Sequence, residues 1–558
     1  MSRRTCCIAY LAILVTLPIA AQEPFEKYYE RQNAEAGRLH AQKEYAKSIA
    51  ILKELTQRPE LQSADDQFQH VLYNLACEYS LAGDTDKATA TLQDAFGKGF
   101  LSSAGLNGDS DFDTIRNDRR FLLLVKELQT RERPQQLLWN STAWQTPFRE
   151  DLPEPEKIAG LSRLWSEAKF NFVFFSRRDG LDWDAQYISY LPRVQATKST
   201  FEYYRVLAEF CAQLHDGHTN VNYPEELGER LGWPALTTKL VEGRVFLDNV
   251  RDPVLIERGL VRGLEVQTVD GLPVREYGEK NVAPMVGAST QQDLEVRTFE
   301  ARLLGGPLDQ PVTLELRDAL GKITKTVVPR ISGSNADKLP HAPWKRFEYK
   351  VLPGNIAYVA MRSFSNNGVA KDFAADFAEI RKSEGLILDV RENGGGSSNV
   401  GWEILGFLTD KTFSSTQWRT RDYRPSYRAW GQTEKWFSQG ASELPAHGPD
   451  PYRKPVVVLI GAHTYSAAED FAVVFDAMKR GKIIGEPSGG STGQPLDVAL
   501  PGGGSVRICT KHDRYPDGKE FVGVGIQPNI VVRCSVDDFR AGRDTVLEAA
   551  IGELQRAK

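Results

Sequence analysis

The tightest constraint on this chain is Val456-Val457-Val458-Leu459-Ile460, followed after a short turn by Ser466 and then by a helical pattern from Ala467 to Lys479. An unbroken aliphatic run of this length reads as a strand buried on both faces, and such strands belong to parallel sheets covered by helices. The serine therefore stands where a core strand hands over to a helix. The first turn of a helix holds backbone N–H groups with no intrahelical acceptor, and the macrodipole adds partial positive charge. An oxyanion formed beside Ser466 meets donors already in place. Serine is also a preferred N-cap residue, so Thr464 to Glu469 alone favours a plain cap.

A second strand and turn bear on that choice. Gly385-Leu386-Ile387-Leu388-Asp389-Val390 has the same buried character and runs into Arg391-Glu392-Asn393-Gly394-Gly395-Gly396. Glycines let backbone amides approach a ligand closely. Three glycines alone describe a flexible loop. After an apolar strand, with a second strand leading to Ser466, they place a site at the carboxyl ends of a sheet.

These two segments, with Leu214-His215-Asp216-Gly217-His218-Thr219 upstream and Gly523-Val524-Gly525-Ile526-Gln527-Pro528-Asn529 downstream, resemble the S41 serine peptidases, the family of tail-specific and tricorn-core proteases. The resemblance spans roughly residues 155 to 555. It implies a ClpP/crotonase-like α/β catalytic core with a PDZ-like insertion; with the helical cap and the N-terminal α-helical repeat domain read from spacing below, the expectation is a multidomain α+β protein. Tail-specific proteases carry a lysine base 25 residues after the serine; here 466 + 25 = 491 is Ser491, so the Ser–Lys dyad is absent. A hydroxyl has little basicity. Activation of Ser466 then falls to His218, which aligns with the histidine of the tricorn-like branch. Backbone amides of Ala467 and of Gly394 or Gly395 are the expected oxyanion donors. The tricorn-like pattern also places a serine beside the histidine and a glutamate near the final segment. Gly217 and Val522 stand at those positions, which leaves Glu520 as the candidate acid, with Asp517 and Asp216 as the other nearby carboxylates.

Other residues that look chemical have simpler explanations. His215 and His218 could share a metal, yet His40, His70, His341, His447, His463 and His512 complete no His-Glu-x-x-His pattern. No metal and no cofactor is expected. His463 is a rival base, although its place in the turn favours a surface role.

Charge argues against a nucleic-acid partner: 69 basic and 74 acidic residues give a net charge of −5, with no footprint for phosphate backbones. Residues 1–22 follow the charged, apolar, small-residue order of a signal peptide, and the apolar run is too short for a stable membrane span. A periplasmic or secreted protein is the expectation. Cys6 and Cys7 leave with that segment. Cys77, Cys211, Cys509 and Cys534 are too few for a disulfide framework, with a Cys509–Cys534 bridge or buried thiols both open.

With 558 residues the chain exceeds one core and divides into several domains. Residues 23–130 carry tetratricopeptide-like spacing, strongest over Leu72 to Ala95, with an inserted loop at 59–66, and imply helix pairs that could hold a protein partner. Prolines at 134, 147, 153 and 155 mark 131–155 as an extended linker. Helical spacing over 156–229, with Pro192 read as a turn, forms a cap that carries His218. Alternating runs over 230–335 match the PDZ-like insertion, which in such domains captures peptide ends along a sheet edge. Residues 340–555 form the catalytic core. Between its two turns, Trp402, Trp418, Tyr423, Tyr427, Trp430 and Trp436 populate a polar insert read as an irregular loop that packs or lines substrate subsites. The expected function is a serine endopeptidase acting on peptide or protein substrates. The competing expectation is a catalytically inactive peptide- or ligand-binding protein on the same scaffold.

Overall fold

The computed structural model describes residues 25–62, 65–98, 102–139, 141–341 and 343–556. The expected signal peptide lies outside the described residues. The chain divides into two compact units, 1–142 and 143–558.

The first unit is helical. Phe25–Ala41 packs on Tyr45–Thr56, and Asp65–Leu81 packs on Thr85–Lys98. Ala76, Ala88 and Ala95 are fully buried, small side chains that let the helices approach. The insertion contributes a short helix, Pro59–Gln62, whose Leu61 enters the same core. The helix Arg119–Trp139 runs through Pro134, so the first part of the 131–155 stretch is helical rather than extended. A proline inside a helix loses one hydrogen bond and crowds one carbonyl. The turns preceding it, anchored by buried Phe121, Leu124 and Leu128, carry the helix past that defect. Pro192 is likewise inside a helix, Trp183–Ala196, and marks no turn.

The second unit is built on a six-stranded sheet in the order Phe347–Leu352, Ile356–Met361, Gly385–Asp389, Val456–Ile460, Lys482–Gly485, Ile530–Val531. The first strand is antiparallel to the second and the remaining pairs are parallel. All five residues of Gly385–Asp389 and of Val456–Ile460 are buried, as their unbroken apolar runs require. One face packs on the C-terminal helix through Val546, Ala550 and Leu554. The other is covered by Gly368–Ile380, Ser398–Gly406 and Ala467–Ala477.

Residues 156–229 share that second face's core rather than forming a cap with one of their own. Leu161, Leu164, Tyr203, Tyr204 and Phe210 are buried in one cluster with Val458 and Phe471. Each such side chain contributes about 1.5–3 kcal/mol of burial. The strand Asn220–Asn222 pairs with Ser505–Cys509, which ties the segment just after His218 to the C-terminal part of the core.

Residues 230–335 form a separate antiparallel sheet, Leu236–Val241, Arg244–Val250, Glu265–Val269, Val312–Arg317 and Ile323–Val328, around Val245, Leu247, Val266 and Leu314. The aromatic insert is more ordered than a loop. Gln417–Asp422 pairs with Lys435–Gln439 on one side and His512–Arg514 on the other, while Trp430 stays exposed. Cys77, Cys211, Cys509 and Cys534 are free thiols, so the bridge left open between the last two is not made.

Candidate active site

Ser466 occupies a left-handed backbone conformation, φ 57° and ψ −126°, at the head of Ala467–Ala477. A non-glycine residue in such a region costs about 1–3 kcal/mol and persists only where its surroundings over-determine it. Here they do. The Tyr465 amide donates to the Asn393 carbonyl at 3.0 Å, the Ser466 amide donates to the Ser491 carbonyl at 3.0 Å, and Thr464 Oγ1 donates to the Val390 carbonyl at 2.8 Å. The serine turn is thereby sewn both to the glycine turn and to a loop at 488–491.

The glycine turn is pinned from its base. Arg391 binds Asp389 at 2.6 Å and Asp544 at 2.8 Å, which anchors the turn to the start of the C-terminal helix. Asn393 Nδ2 donates to the Met361 carbonyl at 3.0 Å. Gly395 lies so close to the nucleophile turn that a Cβ there would sit 2.6 Å from Ser466 Cβ. Its amide donates to Asn393 Oδ1 at 2.9 Å, so Gly395 presents no free N–H. This corrects one of the expected donors: the short Asn393 side chain folds back on its own turn and consumes that amide. The Gly394 and Ala467 amides have no hydrogen-bond partner among the described residues.

His218 comes to this serine from 248 residues away. Its Nε2 lies 3.0 Å from Ser466 Oγ and its Nδ1 lies 2.8 Å from Ser491 Oγ. With Nε2 accepting from the Ser466 hydroxyl, the ring proton belongs on Nδ1 and is donated to Ser491. The ring stacks on Tyr465, centroids 5.0 Å apart at 12°, and Arg297 lies 4.9 Å from the Tyr465 centroid. Burial pushes the imidazole down to about 3, with Arg507, Arg297 and Lys511 acting in the same direction. The ring is neutral at neutral pH, with its Nε2 lone pair turned to the Ser466 hydroxyl.

Gly217 has a steric reason. A Cβ there would meet Tyr465 Oη at 1.8 Å, so no serine fits beside the histidine as long as Tyr465 stacks on it. Ser491 supplies the hydroxyl from another segment. Sequence reasoning passed over Ser491 as the place of a missing lysine.

A buried carboxylate stands behind Ser491. Glu469, fully buried in the first turn after Ser466, accepts from Ser488 Oγ at 2.5 Å, from the Gly490 amide at 2.7 Å and from the Ser491 amide at 2.8 Å. The Ser466 amide also points to it, at 3.3 Å. Burial pushes Glu469 up to about 8, against the pull of these hydrogen bonds. Ser466 is thus an N-cap with a reaching glutamate at the third helical position, and the same residue faces an imidazole.

The remaining expected residues lie elsewhere. Glu520 is not at His218: it binds His512 Nε2 at 2.5 Å and Arg514 at 2.6 Å, because the turn that carries it folds back onto the neighbouring strand. Asp216 is fully buried and accepts from Thr219 Oγ1 at 2.7 Å and Ser289 Oγ at 3.1 Å, which shapes the turn before His218. His463 Nε2 lies 2.7 Å from Glu300, itself paired with Lys239 at 3.0 Å. His215 turns to Arg178 at 2.8 Å rather than sharing a ligand with His218.

A hydroxyl on a strained strand-to-helix turn, facing a neutral buried imidazole beside unpartnered amides, has the makings of a serine hydrolase centre. The model of peptidase family S41 matches residues 355–532, so the chain carries a domain of that family. It is 26% identical over 276 residues to the chloroplastic C-terminal processing peptidase of Tetradesmus obliquus, a match over 49% of this chain and 53% of that protein. It is 26% identical over 219 residues to a tricorn protease homolog of Saccharolobus solfataricus, covering 37% of this chain and 17% of that one. The chain spans about half the length of the curated C-terminal processing relatives it matches, 53% in one case and 44% in another. Among solved structures, mature CPAF complexed with lactacystin superposes with a TM-score of 0.56 at 16% identity, over 72% of this chain and 98% of that chain, a likeness of fold.

Proposed function

We propose that the chain is a serine endopeptidase in which Ser466 is the nucleophile and His218 the general base. The observation that carries this reading is the line Ser466 Oγ, His218 Nε2, His218 Nδ1, Ser491 Oγ, with contacts of 3.0 and 2.8 Å. His218 takes the Ser466 proton as Oγ adds to the scissile carbonyl carbon. The resulting oxyanion is held by the Gly394 and Ala467 amides. Collapse of that intermediate breaks the C–N bond, His218 gives its proton to the leaving amine, and a water then repeats the sequence to release the acid and restore Ser466. Ser491 keeps the Nδ1 proton in place and accepts from the imidazolium. It stands where other serine hydrolases place a carboxylate, so the imidazolium is stabilised by a dipole rather than by a charge.

The substrate class is a peptide or unfolded protein, in keeping with the names of the C-terminal processing relatives. No helix among the described residues is long and apolar enough to cross a membrane. The signal-peptide pattern of residues 1–22 supports export to the periplasm or outside the cell. The separate sheet of 230–335 is a PDZ-like module for peptide capture or gating, and the helix pairs of 23–130 are tetratricopeptide-like and offer a partner-binding surface. Incubation of the full chain with a denatured protein, with fragments read by mass spectrometry, tests the activity. Cleavage abolished in Ser466→Ala supports it. Binding of the denatured protein with no fragments over any tested pH establishes the inactive-binder reading instead.

A further inference from the structure

We propose that Glu469 is the positioning residue of this centre, a buried carboxylate that fixes the 488–491 loop so that Ser491 Oγ meets His218 Nδ1. The inference rests on the reading of Ser466 and His218 as nucleophile and base. Nothing in the site touches Ser491 Oγ with a charge, so its place depends on the loop that bears it. That loop has no regular secondary structure of its own. Its amides at Gly490 and Ser491 and its hydroxyl at Ser488 all converge on Glu469. Ser488 Oγ in turn accepts from the Ile526 amide at 2.7 Å, which brings in the Gly-Ile-x-Pro segment.

The carboxylate is also one helical turn from the nucleophile. Ser466 donates its amide to the Ser491 carbonyl and leans toward Glu469, so a single carboxyl group holds the nucleophile's backbone and the base's support in register. Four donors divided between two oxygens suit a carboxylate and no neutral isostere. A glutamine at 469 offers one oxygen and one NH2, and whichever way it is turned, at least one backbone amide faces a donor. The charged group that bears on Glu469 from a neighbouring element is Asp293, which is paired with Arg297 at 2.5 Å. Among the described residues no cation contacts the carboxyl group; the amides and the Ser488 hydroxyl favour its ionised form against the burial that raises it, so the ionised fraction grows toward pH 8.

Two consequences separate this role from a merely structural one. Glu469 does not reach the substrate, so its loss acts on kcat and leaves KM near the wild-type value. Because burial sets Glu469 near 8 while His218 is pushed down to about 3, the acid limb of the kcat profile belongs to Glu469. The test measures peptide hydrolysis against pH for the full-length wild type, Glu469→Gln, Ser491→Ala and the double variant. Expected are a kcat loss of about tenfold or more in each single variant, KM within about twofold, an acid limb near pH 8 that vanishes in Glu469→Gln, and a double variant no slower than the worse single one. Wild-type kcat and pH profile in Glu469→Gln, or losses that multiply in the double variant, overturn the proposal. If Glu469→Gln does not fold, Ser488→Ala, which removes one donor and keeps the carboxylate, takes its place with a smaller kcat loss in the same direction; an unchanged kcat there is the overturning result. Labelling of Ser466 by a fluorophosphonate in the wild type keeps the two failures apart: a labelled wild type with an indifferent Glu469→Gln sinks this proposal alone, whereas an unlabelled wild type sinks the peptidase reading.

Discussion

Two buried histidines of the same unit, His218 and His512, differ in what surrounds them. His512 accepts from Arg419 Nε at 3.2 Å on Nδ1, faces Glu520 at 2.5 Å on Nε2, and has its ring edge-on to Phe174 at 4.9 Å. Burial pushes it down to about 4, although Glu520 pulls the other way. Both its nitrogens are occupied by charged groups, so it has no lone pair left for a hydroxyl. His218 has only hydroxyls at its nitrogens and an aromatic face behind it. A histidine held by a carboxylate and a guanidinium is a fixture of the fold, whereas one held by two hydroxyls keeps a proton-accepting nitrogen in play.

The largest effect separates the two rings directly. Removing the His218 imidazole by His218→Ala is expected to lower kcat/KM by about a thousandfold or more, as does loss of a triad member elsewhere. His512→Gln is expected to keep kcat/KM within about threefold, since it touches neither the serine nor its amides. Equal losses in the two variants would break the comparison.

The next effect concerns the space around the ring. Gly217→Ala forces a methyl toward Tyr465 Oη, and a displacement near 1 Å at the base costs about a hundredfold in rate. Combining it with Tyr465→Phe removes the clashing oxygen and should recover at least part of that loss in the same kinetic assay. No recovery would mean that Gly217 is required for its backbone and not for the room it leaves.

Much of this centre was legible as local pattern. The apolar run before Ser466, the glycine turn after Asp389 and the setting of His218 are each contained within a few residues, and the contacts of Ser466 with His218 and with the glycine turn follow the motifs that carried the resemblance. The support of the base was not legible. Ser491 meets His218 across 273 residues of sequence, and a serine in a Gly-Gly-Ser-Thr-Gly stretch has no pattern that distinguishes it from a turn. Glu469 sat in plain view but reads as an ordinary acidic residue in a helix's first turn. Gly217 and Val522 pointed to what was missing without saying where it had gone. Glu520 was the nearest acid in sequence, and sequence proximity says nothing of the direction in which a turn folds. Pro134 and Pro192 misled for a related reason: proline's local cost is set against packing on both sides that no local window contains.

A smaller effect is on stability against pH. His218 has a folded value near 3 and an ordinary value of 6.5, so between those limits the unfolded chain binds a proton that the folded chain refuses. Stability therefore falls as pH drops below about 6.5, by roughly 2 kcal/mol from this ring between pH 6.5 and 5. Denaturant titrations at both pH values should show a shallower drop in His218→Gln. An unchanged drop would mean that the ring already titrates in the folded protein. The smallest effect belongs to the exposed partner of the other ring: Glu520→Gln should change stability by about 1 kcal/mol or less and leave kcat unaltered. A kcat loss there would return Glu520 to the catalytic centre.

Catalysis here depends on the Ser466 hydroxyl being made nucleophilic by a ring from a distant segment, and one measurement reads that directly. The purified full chain is exposed to a fluorophosphonate at neutral pH, digested, and the modified peptide identified by mass spectrometry. A single adduct on Ser466, lost in Ser466→Ala and strongly slowed in His218→Ala, is the predicted result. An adduct on another residue, no adduct on the wild type, or a His218→Ala variant that labels as fast as the wild type would contradict it.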